Sequence, residues 1–155
     1  MFRTMRRFRQ QLTKEQCESL LTTVKRGVLS VRGEDGYPYG IPIDFVYDNG
    51  KIYFHGARQG HKIDALKKDS RVCFTLYDEG VLEEGKLGLN VNSVVIFGRI
   101  RIIEDREENI RIARLIGYRY DPKDFVDEDL KRTGSVVQCL ELTIDHMTGK
   151  RVNES

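Results

Sequence analysis

The chain has 155 residues, a net charge of +2 and no tryptophan, enough for one domain with a real core and too little for two. Charge this nearly balanced argues against a dedicated nucleic-acid binder, which concentrates basic residues into one stripe. Cys17, Cys73 and Cys139 are far apart and form no C-x-x-C pair; they argue against a disulfide framework or a zinc site and fit buried apolar residues in a reducing compartment.

No apolar run reaches membrane-spanning length, and MFRTMRRFRQ at the N-terminus is basic without the apolar block of a secretory signal. A soluble, cytoplasmic protein is expected, with no membrane or nucleic-acid partner. Residues 1–11 carry Arg3, Arg6, Arg7 and Arg9 and read as a basic arm, either solvated or laid over a neighbouring subunit. Thr13 with Gln16 three residues later forms a capping box, and Cys17, Leu20, Leu21 and Val24 then share one helical face. Gly27 is expected to stop this helix. Val28 to Arg32 is short and β-branched, a strand that ends at Glu34-Asp35-Gly36.

Tyr37 to Tyr47 reads as one strand, with Ile41, Ile43, Phe45 and Tyr47 on one face and Pro42, Asp44 and Val46 on the other. Proline donates nothing to a ladder, so Pro42 belongs at an edge, at a bulge or beside a ligand. Asn49-Gly50 is a strong type I′ hairpin signal, and Lys51 to His55 returns antiparallel. Asp44 and His55 therefore fall on neighbouring strands, away from the turn. After Gly56 a loop carrying Arg58 leads into a helix that opens with Gly60, His61 and Lys62 and closes on Lys67 and Lys68.

Arg71 to Tyr77 alternates with Val72, Phe74 and Leu76 inward. Asp78 to Asn92 lacks periodicity and reads as a long loop of the kind that forms lids or binding segments. Ser93 to Ile103 is the longest strand, with Val94, Ile96, Ile100 and Ile102 on one face, Arg99 and Arg101 on the other, and a bulge or close approach at Gly98. Asp105 and Glu108 cap a helix that buries Ile112, Ala113, Leu115 and Ile116. Tyr118 to Thr133 reads as irregular, with a short helix near Asp127 to Leu130. Ser135 to Asp145 is the last strand, and TGKRV a turn and tail. These elements predict a mainly β (α+β) fold: a six-stranded antiparallel split β-barrel with peripheral helices, in which closure removes exposed edges.

A helix start leaves backbone N–H groups unpaired and carries partial positive charge, so the turn at Gly60, His61 and Lys62 is a natural phosphate receptor. The same spacing also suits an ordinary strand-to-helix connection with solvated cations. Histidine as a residue type serves proton transfer near neutral pH, so His55 and His61 are candidate proton donors; with His146 the only other histidine, no metal site is expected. Tyr37, Tyr39, Tyr47, Tyr53 and Phe54 surround the hairpin, where they serve core packing or a flat cofactor ring.

The segments GIPIDFVYDNGKIYFHGARQGHKIDALKKDSRVCF, NSVVIFGRIRIIED and LELTIDHMTGKR resemble the pyridoxamine 5′-phosphate oxidase-related split-barrel flavoproteins, and most of all their nitroimidazole-resistance branch. The resemblance implies FMN held at the interface of a homodimer. It places the flavin ring along Pro42, Ile43, Asp44 and Phe45 and along Phe54, His55, Gly56 and Ala57. The phosphate would meet Arg58, His61 and Lys62, while Ser93, Val94 and Val95 would approach the ring from one chain or the other. A C-terminal tryptophan and arginine motif typical of true pyridoxamine phosphate oxidases is missing, which argues against vitamin B6 oxidation. What the resemblance implies is an FMN-dependent oxidoreductase of nitroreductase type, taking electrons from NAD(P)H and passing them to a small nitro or quinone-like acceptor. The alternatives are a non-catalytic module holding flavin or haem for sensing or carriage, and a barrel that has lost its ligand and serves interaction.

Overall fold

A computed structural model describes residues 1–154, with Glu154 described by its backbone only. The first helix, α1 (Lys14–Thr23), opens on a complete capping box: the Gln16 N–H donates to the Thr13 hydroxyl and the Thr13 N–H to the Gln16 side chain. It turns at Val24, ahead of Gly27. Gly27 lies inside strand β1 (Arg26–Arg32) instead of stopping the helix, because the Phe74 ring and the Thr75 carbonyl occupy the space its Cβ would need.

The expected strand from Tyr37 to Tyr47 is two strands, β2 (Pro38–Asp44) and β3 (Val46–Asp48), broken at Phe45. β2 pairs with β1, whereas β3 pairs with β4 (Lys51–Ala57) across the Asn49-Gly50 turn. Next come α2 (His61–Lys68), β5 (Arg71–Tyr77), β6 (Val81–Leu82) and β7 (Leu89–Ile102). α3 (Arg106–Tyr120), α4 (Lys123–Thr133) and β8 (Val137–Glu154) complete the described chain.

All strands join one antiparallel sheet in the order β2-β1-β5-β7-β8-β4-β3, with β6 on β7. β2 and β3 are its two margins, yet Phe45 alone separates them in sequence. The sheet must therefore curl until its margins meet, which makes it a split barrel. Pro38 and Pro42 lie on the marginal strand β2, the place a residue without an N–H tolerates best.

Three further stretches depart from expectation. The segment from Asp78 to Asn92 is a hairpin, since β6 pairs with the start of β7 and the Asp78 carboxylate accepts from the amides of Gly80 and Asn92. α3 continues through Tyr120, and a second long helix follows Pro122 where irregular chain was expected. The TGKRV segment is no tail: β8 runs on beside β7, with Asp145 bulged out opposite the Phe97–Gly98 step. The sheet thus has eight strands among the described residues where six were expected.

Inside the barrel, Phe45, Phe54 and Phe74 are fully buried, with Phe74 edge-on to the other two at 5.0 Å between centroids. Cys17 and Leu21 from α1 and Ile63 and Leu66 from α2 join this core. A second core forms where Tyr53 and Cys139 on the outward side of β4 and β8 meet Ile112 and Ile116 of α3. The buried Asn109 fastens it, accepting from the Cys139 N–H and donating to the Val137 carbonyl. Each fully buried large apolar side chain contributes on the order of 2 kcal/mol.

Candidate functional site

At the end of β4 the chain leaves the sheet and enters α2 through Gly60, whose φ of +127° suits glycine and few other residues. No side chain caps the first turn of α2, so its N–H groups remain available to an outside acceptor. Lys62 is half-buried and forms no ion pair with any carboxylate among the described residues. Its Nζ hangs over Gly56, 2.8 Å from the point where a Cβ on that glycine would stand. Burial pushes the Lys62 ammonium below its usual pKa. Arg58 is exposed on the connecting loop. The corner therefore combines an uncapped helix start with an uncompensated cation, and both favour an anion.

His61 has a structural partner as well. Its imidazole stacks on the Tyr39 ring at 4.2 Å, and the Glu34 N–H points at its Nε2 from 3.5 Å. These contacts tie the turn after β1 to the start of α2.

Asp44 and His55 are not on paired strands as the hairpin reading expected, since Asp44 pairs with Arg26 of β1 and His55 with Cys139 of β8, yet both line one cleft of about 640 Å³. The Arg26 guanidinium donates to Asp44 at 2.7 Å. His55 remains exposed along one side, yet burial on the other lowers its pKa; the Asp44 charge opposes that shift and the Lys62 charge adds to it. Gly56 and Ala57 continue the cleft floor, and α3 and α4 form its far wall through Ala113, Gly117 and Phe125.

The other residues singled out in the sequence divide by face. Ile43, Phe45, Phe54 and Val94 point into the barrel core, so only their backbones can meet a ligand. Pro42 is exposed on the outward face of β2. Ser93 and Val95 lie on the outward side of β7, and Ser93 lines a different cleft with Tyr77 and Lys150. One register row runs Pro42, Val28, Thr75, Val95 across the sheet, so Pro42 and Val95 stand three strand spacings apart, about 14 Å. One chain does not gather Ser93 and Val95 with Lys62 and His55. Val28, Thr75 and Val95 of this row, with their neighbours Ser30 and Cys73, form a shelf of small, half-buried side chains beside the exposed Pro42.

Sequence reasoning passed over Arg119 and Tyr120. The Arg119 guanidinium lies over the Phe45 ring at 4.5 Å and donates to the carbonyls of Phe45, Leu21, Thr22 and Val24. The Tyr120 hydroxyl accepts from the Phe45 N–H at 2.9 Å and donates to the Lys25 carbonyl at 2.6 Å. The backbone of Phe45, along which the resemblance lays the flavin ring, is thus engaged by α3. Two adjacent hydrogen-bonding residues beyond a buried helical run were the only local hint.

A curled antiparallel split barrel with an anion-accepting corner at its strand-to-helix turn defines the class. Residues 13–151 match the family model for pyridoxamine 5′-phosphate oxidase, and the chain belongs to that family. Among solved structures it resembles a candidate 5-nitroimidazole antibiotic resistance protein from Bacteroides thetaiotaomicron, with 24% identity and a TM-score of 0.76 over 91% of this chain and 86% of that one. A FAD-binding protein from Mesorhizobium loti shares 19% identity at a TM-score of 0.71, over 92% and 97%. The flavocytochrome Anf3 from Azotobacter vinelandii shares 18% at 0.79, over 97% and 72%. No curated protein matches the sequence.

Proposed function

We propose that this protein binds FMN and works as an oxidoreductase of nitroreductase type. The observation that carries the reading is the unpaired, half-buried Lys62 ammonium over Gly56 at the uncapped start of α2. A cation held there without a carboxylate costs stability unless an anion arrives. Lys62 and Arg58 would hold the phosphate with the first-turn amides, and His61, steadied by Tyr39, would complete the corner. The fit is supported by the glycine beneath Lys62, since a side chain there would displace the ammonium. The FAD-binding protein and the candidate nitroimidazole-resistance protein among the structural neighbours support the choice of cofactor class and branch.

FMN would supply electron transfer that no side chain of this chain performs. The protein's part is positional: Asp44 and the backbone from His55 to Ala57 border the ring, and His55 holds or donates a proton beside the cleft. We further propose a homodimer in which the outward shelf of one copy brings its Ser93 and Val95 to the other copy's ring. The reading that electrons come from NAD(P)H and leave to a small nitro or quinone-like acceptor rests on the likeness to the nitroimidazole-resistance branch.

Flavin fluorescence during titration of FMN into the purified protein tests the reading. Quenching with saturation is expected, along with bleaching of the bound flavin when NADH or NADPH is added without oxygen. An unquenched signal refutes binding, and a flavin that stays oxidised refutes the enzyme.

A further inference from the structure

The cleft beside His55 has a charge pattern of its own. Its polar lining includes Asp44, Asp121 and Asp129, and neither lysine nor arginine borders it. Asp44 is neutralised by Arg26 and Asp129 meets Arg132 on exposed surface, while Asp121 makes no ion pair among the described residues. The rest is apolar and low in relief: Gly56 and Ala57 face Ala113 and Gly117, and Phe125 and Val136 stand exposed at its mouth. Val126 fills the space that a side chain on Gly117 would need, so α4 packs close upon α3.

A volume of about 640 Å³ suits a small molecule of two or three rings. A largely apolar lining that carries carboxylates and neither lysine nor arginine favours an incoming cation over an anion. We propose that this cleft takes planar aromatic molecules that are uncharged or cationic and turns away anionic ones, phosphate esters included. The feature that would recognise a phosphate, Lys62 over Gly56, lies at the α2 corner and does not line the cleft. Burial lowers the pKa of His55, which reduces the positive charge it brings to the cleft. In the flavin reading, on which this role rests, the ring would lie against the Asp44 and His55–Ala57 edge, and the electron acceptor would take the remainder of the cleft along α3 and α4. A phosphorylated vitamer then finds no counter-charge in it.

Calorimetry on the flavin-free full chain, and again with FMN added to saturation, tests the proposal with three isosteric, redox-inert probes: naphthalene-2-carboxamide, naphthalene-2-carboxylate and 2-naphthylmethylammonium. The carboxamide and the ammonium are expected to bind about tenfold or more tighter than the carboxylate. In an Asp121→Lys, Asp129→Lys double variant the order of carboxylate and ammonium should reverse, with the carboxamide unchanged. Equal affinities for all three, no binding of any, or an order untouched by the charge swap would overturn the proposal. Displacement of the carboxamide by FMN would also overturn it, by making the cleft the ring's own seat. FMN uptake, followed separately by fluorescence, reports on the flavin reading; its failure would leave the probe order standing as a test of the cleft alone.

Discussion

The Lys62 ammonium lies 2.8 Å from the place a Cβ on Gly56 would take, so one strand residue sets where the helix directs its cation. Gly56→Ala tests this without touching the charge. The ammonium is the far end of a flexible chain and can swing away, so the fold should survive. Affinity for FMN should drop, and Lys62→Ala should weaken it by about 1.5–3 kcal/mol, the range for hydrogen bonds to charged groups. Fluorescence titration of both folded variants checks this, and parent-like affinity in Lys62→Ala would remove the phosphate role.

Lys62 should also cost the ligand-free protein stability. Its folded pKa is lowered by burial, so between that value and the ordinary lysine value the unfolded chain binds more protons and stability rises with pH. Below the folded pKa the full cost is present. Lys62→Met should therefore raise the melting temperature at pH 7 in the absence of anions. Added inorganic phosphate should stabilise the parent more than the variant. Melting curves with and without phosphate measure both effects.

His55 has the same sign at lower pH. Burial depresses its pKa, so stability falls as the solution is acidified through the ordinary histidine value, about 6.5. Urea denaturation of His55→Gln should show a flatter dependence between about pH 7 and pH 5. An unchanged slope would mean that the imidazole is as well hydrated folded as unfolded.

Arg119 binds carbonyls from the end of α1 and from Phe45 at once. Losing it strands several half-buried acceptors, and Arg119→Ala should cost about 2–4 kcal/mol in urea denaturation, allowing for non-additive hydrogen bonds. Tyr120→Phe removes one donor and one acceptor and should cost about 1–2 kcal/mol.

The cysteines should differ in reactivity. Burial pushes the Cys139 thiol up to about 12 and raises that of Cys17 as well, so neither should react in the folded protein at pH 8. Cys73 is half-buried on the outward shelf and should be labelled in the separated chain. In the proposed dimer its labelling should slow with rising protein concentration. Mass spectrometry of iodoacetamide adducts over a dilution series reads both results.

Local rules carried much of this fold into view. The capping box at Thr13 and Gln16, the Asn49-Gly50 turn and the alternation from Arg71 to Tyr77 each act through neighbours in sequence, and each is where it was expected. The break at Phe45 was hidden because Ile43 and Phe45 keep pointing inward while the chain crosses from one margin to the other. Alternation records the face and not the neighbour. The Arg119 guanidinium that holds the Phe45 carbonyl at the break lies 74 residues away. The Asp78 to Asn92 hairpin was equally veiled, since it depends on a carboxylate reaching backbone amides 14 positions on. At the site, Gly60, His61 and Lys62 could be read as a helix start, but that Lys62 has no carboxylate partner among the described residues is a property of the assembled surroundings.

The two prolines on the marginal strand have a bearing on crowding. A sheet rim with a full set of amides invites strands from other molecules to stack on it, and Pro38 and Pro42 remove two of the donors such growth would need. Replacing Pro42 with valine would restore a donor to that rim. The resulting protein is expected to fold as before yet turn turbid and form fibrils at concentrations where the parent stays clear.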